Sequence, residues 1–353
     1  MVKRSLLEGA TREERIVQRR KLGSLKSLTV QPATRKRYDL ALNQFLDFLK
    51  LEGISLPSKR DALDEVAAEY LEHLWSSGEG RALASDTLAS LQNMEPNLKG
   101  HLNISWRLLK VWHQNEMPNR APPFPEVVLQ ALVGKANMKN DPNFALSLLL
   151  GFYGMMRTGE ILSLEPKHVE ANRDNGPAII SLGLTKAGKR QGAAESITLS
   201  VQEVVRRLRH WKESTRKPLV ASASQWRAKF SNLLAELGLE SFHFRPYSLR
   251  RGGATFWFGK HGSFDRLLVQ GRWHAQKTAR IYIDSGVAAL AEMKIPTAKL
   301  QGFVSVYSNA SRQELPSLER TRKASSSGGR GNKVVKQKKV DRRGSNNRPW
   351  RVY

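Results

Sequence analysis

Apolar side chains recur at helical spacing along the first third of the chain. From Thr34, the residues Tyr38, Leu42, Phe45 and Leu49 share one face, and Gly53 is placed to end the run. Asp61 to Ser77 repeats the pattern with Leu63, Val66, Tyr70 and Leu74, and a shorter helix is expected after Ser85. The fourth, His101 to Asn115, is expected to turn Leu102, Trp106, Leu109 and Val111 inward, leaving Arg107, Lys110 and His113 outside. Four helices with short connections predict a compact all-α unit over residues 31–116.

Met117 to Pro125, MPNRAPPFP, puts four prolines in nine residues, which stops a helix and stiffens an extended connector. A domain boundary is therefore expected at 117–125. Asp141-Pro142 then has the form of a helix cap followed by proline at the first helical position, opening an apolar helix expected to end near Met156. Ala178 to Thr185 and Glu195 to Leu199 are rich in β-branched and apolar residues and predict strands, with Lys186 to Ala194 as the turn between them. Helical periodicity returns over Val201 to Lys212, Ser224 to Leu237, Leu249 to Gly259 and Phe264 to Gln270. The expected fold class is mostly α with a small antiparallel β-sheet: a helical N-terminal domain followed by a mixed α/β domain over 126–305. Residues 1–30 read as a basic arm. Residues 306–353 are basic and poor in large apolar side chains, a composition that predicts disorder in isolation.

Charge narrows the class of partner. There are 58 Lys+Arg against 32 Asp+Glu, a net charge of +26, of which +11 falls between Arg320 and Tyr353 and +5 before Ser27, leaving +10 on the body of the chain. A surplus of this size favours a polyanion. Absence of cysteine excludes disulfides, Cys-ligated zinc, iron–sulfur clusters and a thiol nucleophile. The longest apolar run, Phe144 to Met156, falls short of the ~20 residues a membrane span needs, so no membrane partner is expected. The N-terminus lacks the apolar core of a secretory signal.

Familiar hydrolase motifs are missing: there is no H-E-x-x-H and no G-x-S-x-G. Gly183 to Lys189 fits the phosphate-cradling G-x-x-x-x-G-K, but Arg190 stands where Mg²⁺ binding requires Ser or Thr, and a strand follows in place of a helix. More informative is a series of basic groups, one acid and one tyrosine in chain order. Met155-Met-Arg157-Thr-Gly-Glu160 sets a guanidinium at the end of a buried helix with a carboxylate one turn on. Pro246-Tyr247-Ser-Leu-Arg250-Arg251-Gly-Gly begins another helix with two arginines, where free backbone N–H groups also favour phosphate. Gly271-Arg272-Trp273-His274 precedes Tyr282, which lies nine residues beyond Trp273.

In this order and spacing the three boxes resemble the tyrosine recombinases, the phage-integrase family of site-specific DNA recombinases. The S-L-R-R-G-G-A form looks most like integrase-like enzymes of eukaryotic mobile elements. The resemblance covers roughly Glu126 to Lys299, while Gln31 to Asn115 matches the family's core-binding domain in order and size. It implies that Tyr282 attacks the scissile phosphorus to give a 3′-phosphotyrosyl link, without ATP, metal or other cofactor. Arg157 and Arg250 would hold the non-bridging oxygens, Glu160 would orient Arg157, and Trp273 would donate its indole N–H to a phosphate oxygen. Lys186 would protonate the leaving 5′-oxygen, with Lys189 as the alternative.

Tyr247 departs from the family's usual histidine, and a hydroxyl with a pKa near 10 is a poor base. Double-stranded DNA is the implied partner, with Arg107, Lys110, Arg251 and Lys189 as further DNA contacts. Residues Val287 to Phe303 are expected to pack into a neighbouring protomer, building a tetramer on two DNA sites. Lys336 to Arg343 would serve nuclear import in a eukaryote; otherwise the cytoplasm or nucleoid is the expected location. The competing readings are a decayed or domesticated integrase-like DNA-binding protein, a type IB topoisomerase, and a basic chromatin or RNA-binding protein.

Overall fold

The computed structural model describes residues 10–171, 176–183, 185 and 194–312; Lys186, Lys189 and the basic tail beyond Arg312 lie outside them. Within the expected arm, Arg12–Leu22 forms a helix, α1, that buries none of its side chains. Its start is a reciprocal cap: Glu14 N–H donates to Thr11 Oγ1 (3.2 Å) and Thr11 N–H donates to Glu14 Oε2 (2.9 Å). Acids in the first turn and Arg19, Arg20 and Lys21 in the last complement the helix dipole. With no apolar stripe to read, periodicity could not reveal this element.

Four further helices follow: α2 (Pro32–Leu51), α3 (Arg60–Ser76), α4 (Arg81–Met94) and α5 (Asn103–Asn115). α2 packs on α4 and α3 on α5, around a core that includes Phe45, Tyr70, Leu88 and Trp112. Burying side chains of this size contributes about 1.5–3 kcal/mol each. The inward face of α5 differs from the expected one. Ser105, Leu109 and Trp112 are buried, whereas Trp106 and Val111 are 38% and 44% exposed. The reason is Asp64 on α3, buried against the start of α5. Its carboxylate accepts the N–H groups of Ile104 (2.8 Å) and Ser105 (3.0 Å) and the Ser105 hydroxyl (2.6 Å), fixing the helix's rotation from another element.

The second core gathers around α7 (Pro142–Tyr153), which is buried continuously from Phe144 to Phe152. Asp141 caps it as the sequence suggested, accepting the Phe144 N–H at 3.2 Å. It lies against α6 (Glu126–Met138) and α11 (Pro246–His261). Next to it the short α8 (Thr158–Leu162) leads into a sheet of β1 (Val169–Ala171), β2 (Ala178–Gly183) and β3 (Glu195–Leu199). The strands are antiparallel in chain order, with Val169 opposite Ile180 and Ile180 opposite Ile197. β1 was not foreseen, since three residues are too few to show a period.

The remaining helices are α9 (Gln202–Ser214), α10 (Ala223–Glu236), α12 (Phe264–Gly271), α13 (Gln276–Arg280), α14 (Ser285–Lys294) and α15 (Thr297–Arg312). The architecture is thus mostly α with one small antiparallel sheet, the class expected. The segment from Val287 to Phe303 is divided: Val287, Leu290 and Met293 are exposed, and others of its apolar side chains pack within the chain. Ala291, Ile295 and Leu300 join the second core, and α15 lies on α6 so closely that a Cβ on Gly134 would run into the Phe303 main chain. Among the described residues no helix is long and apolar enough to cross a membrane.

Candidate active site

α7 ends in a turn whose Met155 adopts a left-handed conformation (φ 44°), costly for a side chain of this kind. The twist accompanies a carbonyl turned inward, where Met155 O accepts from Arg250 Nη1 and from Arg272 Nη2 (3.3 Å). Arg157 follows at the start of α8. Its Nη1 donates to Glu160 Oε1 (2.6 Å), and its backbone N–H donates to Glu160 Oε2 (2.8 Å). Burial pulls the Arg157 guanidinium down, but the bond and charge of Glu160, with the charges of Glu195 and Tyr282, together raise it overall.

Arg250, in the first turns of α11, is 1% exposed. Besides Met155 it donates from Nη2 to Gly271 O (2.6 Å), and its guanidinium stacks 4.8 Å from the Trp273 ring and 5.5 Å from the Tyr282 ring. Burial, followed by the charges of Arg272 and Arg157, pulls it down to about 10. Tyr282 sits in the turn after α13, its ring 4.5 Å from Trp273 and its hydroxyl hydrogen-bonded to that of Tyr247. Burial pushes the Tyr282 hydroxyl up. The Tyr247 bond, the Arg250 charge and the contacts of Trp273 and Arg250 with the hydroxyl together more than reverse this, so it ionises below the ordinary tyrosine value. Tyr247 moves the other way, raised by burial and by its bond to Tyr282. The two shifts favour Tyr282 as the phenolate, to which the Tyr247 hydroxyl is placed to donate. The Trp273 indole also favours the Tyr282 phenolate, although its N–H makes no hydrogen bond of regular geometry.

Two members of this cluster were not singled out from sequence. Arg272 is buried in the left-handed conformation that ends α12 (φ 56°) and donates from Nη2 to Glu160 Oε2 at 2.8 Å. Glu195, first residue of β3, brings Oε2 within 3.7 Å of Arg157 Nη1 and 3.9 Å of Arg272 Nε, and accepts from the Thr185 hydroxyl (2.6 Å). Among the described residues three guanidiniums face two carboxylates, an excess of one positive charge. Arg250 donates to two carbonyls, pairs with neither carboxylate among the described residues, and directs its charge at Tyr282. Among the described residues, buried Arg250 Nε, Arg272 Nε, Arg272 Nη1 and Trp273 Nε1 have no hydrogen-bond acceptor of regular geometry. Buried donors of this kind are costly and call for an acceptor.

Arg157, Glu160, Tyr247, Arg250, Trp273 and Tyr282, more than a hundred residues apart at the extremes, thus meet in one place. The chain is similar to solved DNA recombinases. It has 16% identity to XerA recombinase over 76% of this chain and 93% of that one, with a TM-score of 0.39. For XerH site-specific recombinase bound to difH substrate in a pre-cleavage complex the values are 16%, 70%, 76% and 0.49. For the Tn1549 transposon integrase in complex with transposon right end DNA they are 13%, 79%, 96% and 0.49. No family model and no curated protein matches the chain. Likenesses this distant assign no activity, and the chemistry must come from the residues themselves.

Arg251 departs from expectation. It is 5% exposed, with Nη1 donating to Ala121 O and Nη2 to Ile281 O (3.2 Å), so it is an internal post and not an exposed DNA contact. Helix periodicity explains this: one residue beyond Arg250 turns about 100° around α11. Arg107 and Lys110 are exposed on α5. Lys186 and Lys189 lie outside the described residues.

Proposed function

We propose that this protein is a tyrosine recombinase that cuts and rejoins double-stranded DNA at specific sites. The reading is carried by one observation: the Tyr282 hydroxyl, bonded to that of Tyr247, lies beside the Arg250 guanidinium and buried donors that lack acceptors among the described residues. Such a cluster fits a phosphodiester. In the proposed step the Tyr282 oxygen attacks phosphorus, an O–P bond to tyrosine forms, the P–O5′ bond breaks, and the 5′-oxygen takes up a proton. One phosphate ester replaces another, so rejoining by the reverse step needs no ATP.

Arg250 supplies the charge that grows in value as the pentacoordinate oxygens become more negative, and Arg157 adds a fork held in place by Glu160. Tyr247 donates to the Tyr282 phenolate, which gives this residue work without requiring it to act as a base. That contact favours an active enzyme over a decayed one. Lys186 remains the proposed proton donor to the leaving oxygen, with Lys189 as the alternative. Exposed Arg107 and Lys110 on α5 would grip DNA phosphates, making affinity fall steeply with salt.

The test is a duplex drawn from the DNA flanking the gene, nicked beside each candidate cleavage position so that a covalent intermediate is trapped. Adduct is expected with the unaltered protein, with EDTA present, and not with Tyr282→Phe. Absence of adduct on every such duplex would overturn the proposal. Relaxation of supercoiled DNA lacking these sites would instead indicate a topoisomerase.

A further inference from the structure

The connector between the two helical cores runs across the helix that carries Arg250. Phe124, 1% exposed, donates its N–H to Ser248 O at 3.1 Å, and its ring lies 4.6 Å from Phe244. Opposite it stands Gly252, where any Cβ would collide with the Phe124 main chain. The connector is therefore seated in α11 through a position that only glycine fits. From the same helix two side chains reach the turn that bears Tyr282. Thr255 Oγ1 donates to Tyr282 O (3.3 Å) and accepts the Asp284 N–H (3.2 Å). Arg251 spans both structures: one arm of its fork donates to Ala121 O in the connector, the other to Ile281 O, and the latter also lies 3.5 Å from Asp284 Oδ2.

We infer that Arg251 is a positioning residue that couples the seat of the 117–125 connector to the Tyr282 turn, so that attack by Tyr282 depends on where the connector lies. The inference rests on the strand-exchange reading for its consequence, though not for its geometry. A planar fork can hold two carbonyls at fixed separation, whereas a lysine ammonium is a point donor on a flexible stem. Displacing the connector therefore pulls on the carbonyl next to the nucleophile. A misplacement of about 1 Å is enough to slow a reaction by about a hundredfold.

Amide hydrogen exchange on the free full-length chain tests the coupling without DNA. Phe124→Leu, a mild loosening of the connector, is expected to speed exchange at Asp284 in the otherwise unaltered chain. It should produce no further increase when combined with Arg251→Met. Exchange that rises only near residue 124, or rises equally in both backgrounds, overturns the inference. Arg251→Lys, which keeps charge and burial, serves as the second variant should Arg251→Met fold poorly, and it too is expected to abolish the response. On the nicked duplex, Arg251→Lys is expected to slow adduct formation about tenfold or more while DNA affinity stays within about threefold. If adduct never forms even with the unaltered chain, the functional reading fails while the exchange result still decides the coupling. If adduct forms equally fast with Arg251→Lys, the coupling fails and the functional reading stands.

Discussion

Replacing Tyr247 by phenylalanine isolates the hydroxyl pair at the centre of the site. The ring, 5.7 Å from that of Tyr282, keeps its packing, and only the donor to the Tyr282 oxygen is lost. Hydrogen bonds to a charged acceptor are worth about 1.5–3 kcal/mol. Because Tyr247 is 42% exposed, water partly replaces it, so the lower end of about 1.5 kcal/mol applies. That corresponds to about one pKa unit on Tyr282. The sign follows from the direction of the shift: Tyr282 is lowered in the folded protein, its phenolate dominates above its pKa, and losing the donor moves that pKa upward.

Single-turnover adduct formation on the nicked duplex, followed from about pH 6 to pH 11, should rise with pH in both proteins until the Arg250 and lysine protons begin to leave. The Tyr247→Phe curve should lie displaced by about one unit. The loss is then about tenfold on the acidic limb and vanishes on the alkaline side, where both proteins present phenolate and loss of the Arg250 and lysine protons lowers both rates alike. A 5′-phosphorothiolate substrate, whose leaving group needs no proton, should not restore the variant. The same fractional loss at every pH, or restoration by the phosphorothiolate, would refute the reasoning and make Tyr247 a proton donor to the leaving group.

Other outcomes follow from buried groups elsewhere. Glu160→Gln removes a carboxylate shared by Arg157 and Arg272. Since Glu195 remains 3.9 Å from Arg272, the cost in urea unfolding should fall near about 3 kcal/mol, the low end for breaking a buried ion pair. Asp64→Ala leaves two N–H groups of the α5 start without their acceptor, while the Ser105 hydroxyl keeps the main-chain carbonyl of residue 64 (3.1 Å), and thermal denaturation should show a loss of about 2 kcal/mol. Gly134→Ala drives a methyl group into the Phe303 main chain, so α15 should lift from α6 and limited proteolysis should cut within 297–312 faster than in the unaltered chain.

What the sequence revealed and what it hid divide along physical lines. Arg157 and Glu160 were readable as a pair because they lie one helical turn apart, and the Asp141 cap because its proline follows directly. Tyr282 and Trp273 stood at a spacing that a family resemblance could pick out. Glu195 was not visible as a partner of Arg157 and Arg272, because nothing local marks a strand residue whose carboxylate meets arginines from two other elements. Arg272 was overlooked beside Trp273, since its burial depends on the left-handed turn that ends α12. The rotation of α5 was misjudged by about one residue: Trp106 and Val111 are apolar, but Asp64 on another helix decides which face turns inward. α1 escaped because its order comes from capping and charge, with no buried face.

The adjacent arginines of α11 are chemically identical and have separate duties. Arg250 points toward Met155 and Gly271 beneath the tyrosine pair, while Arg251 points toward Ala121 and Ile281. A helix advances about 100° per residue, so an insertion or deletion of one residue before Arg250 would rotate each guanidinium into a place shaped for something else. The pair therefore offers no redundancy. Neither arginine can stand in for the other, and α11, buried from Ser248 to Thr255, tolerates no change of length ahead of the two.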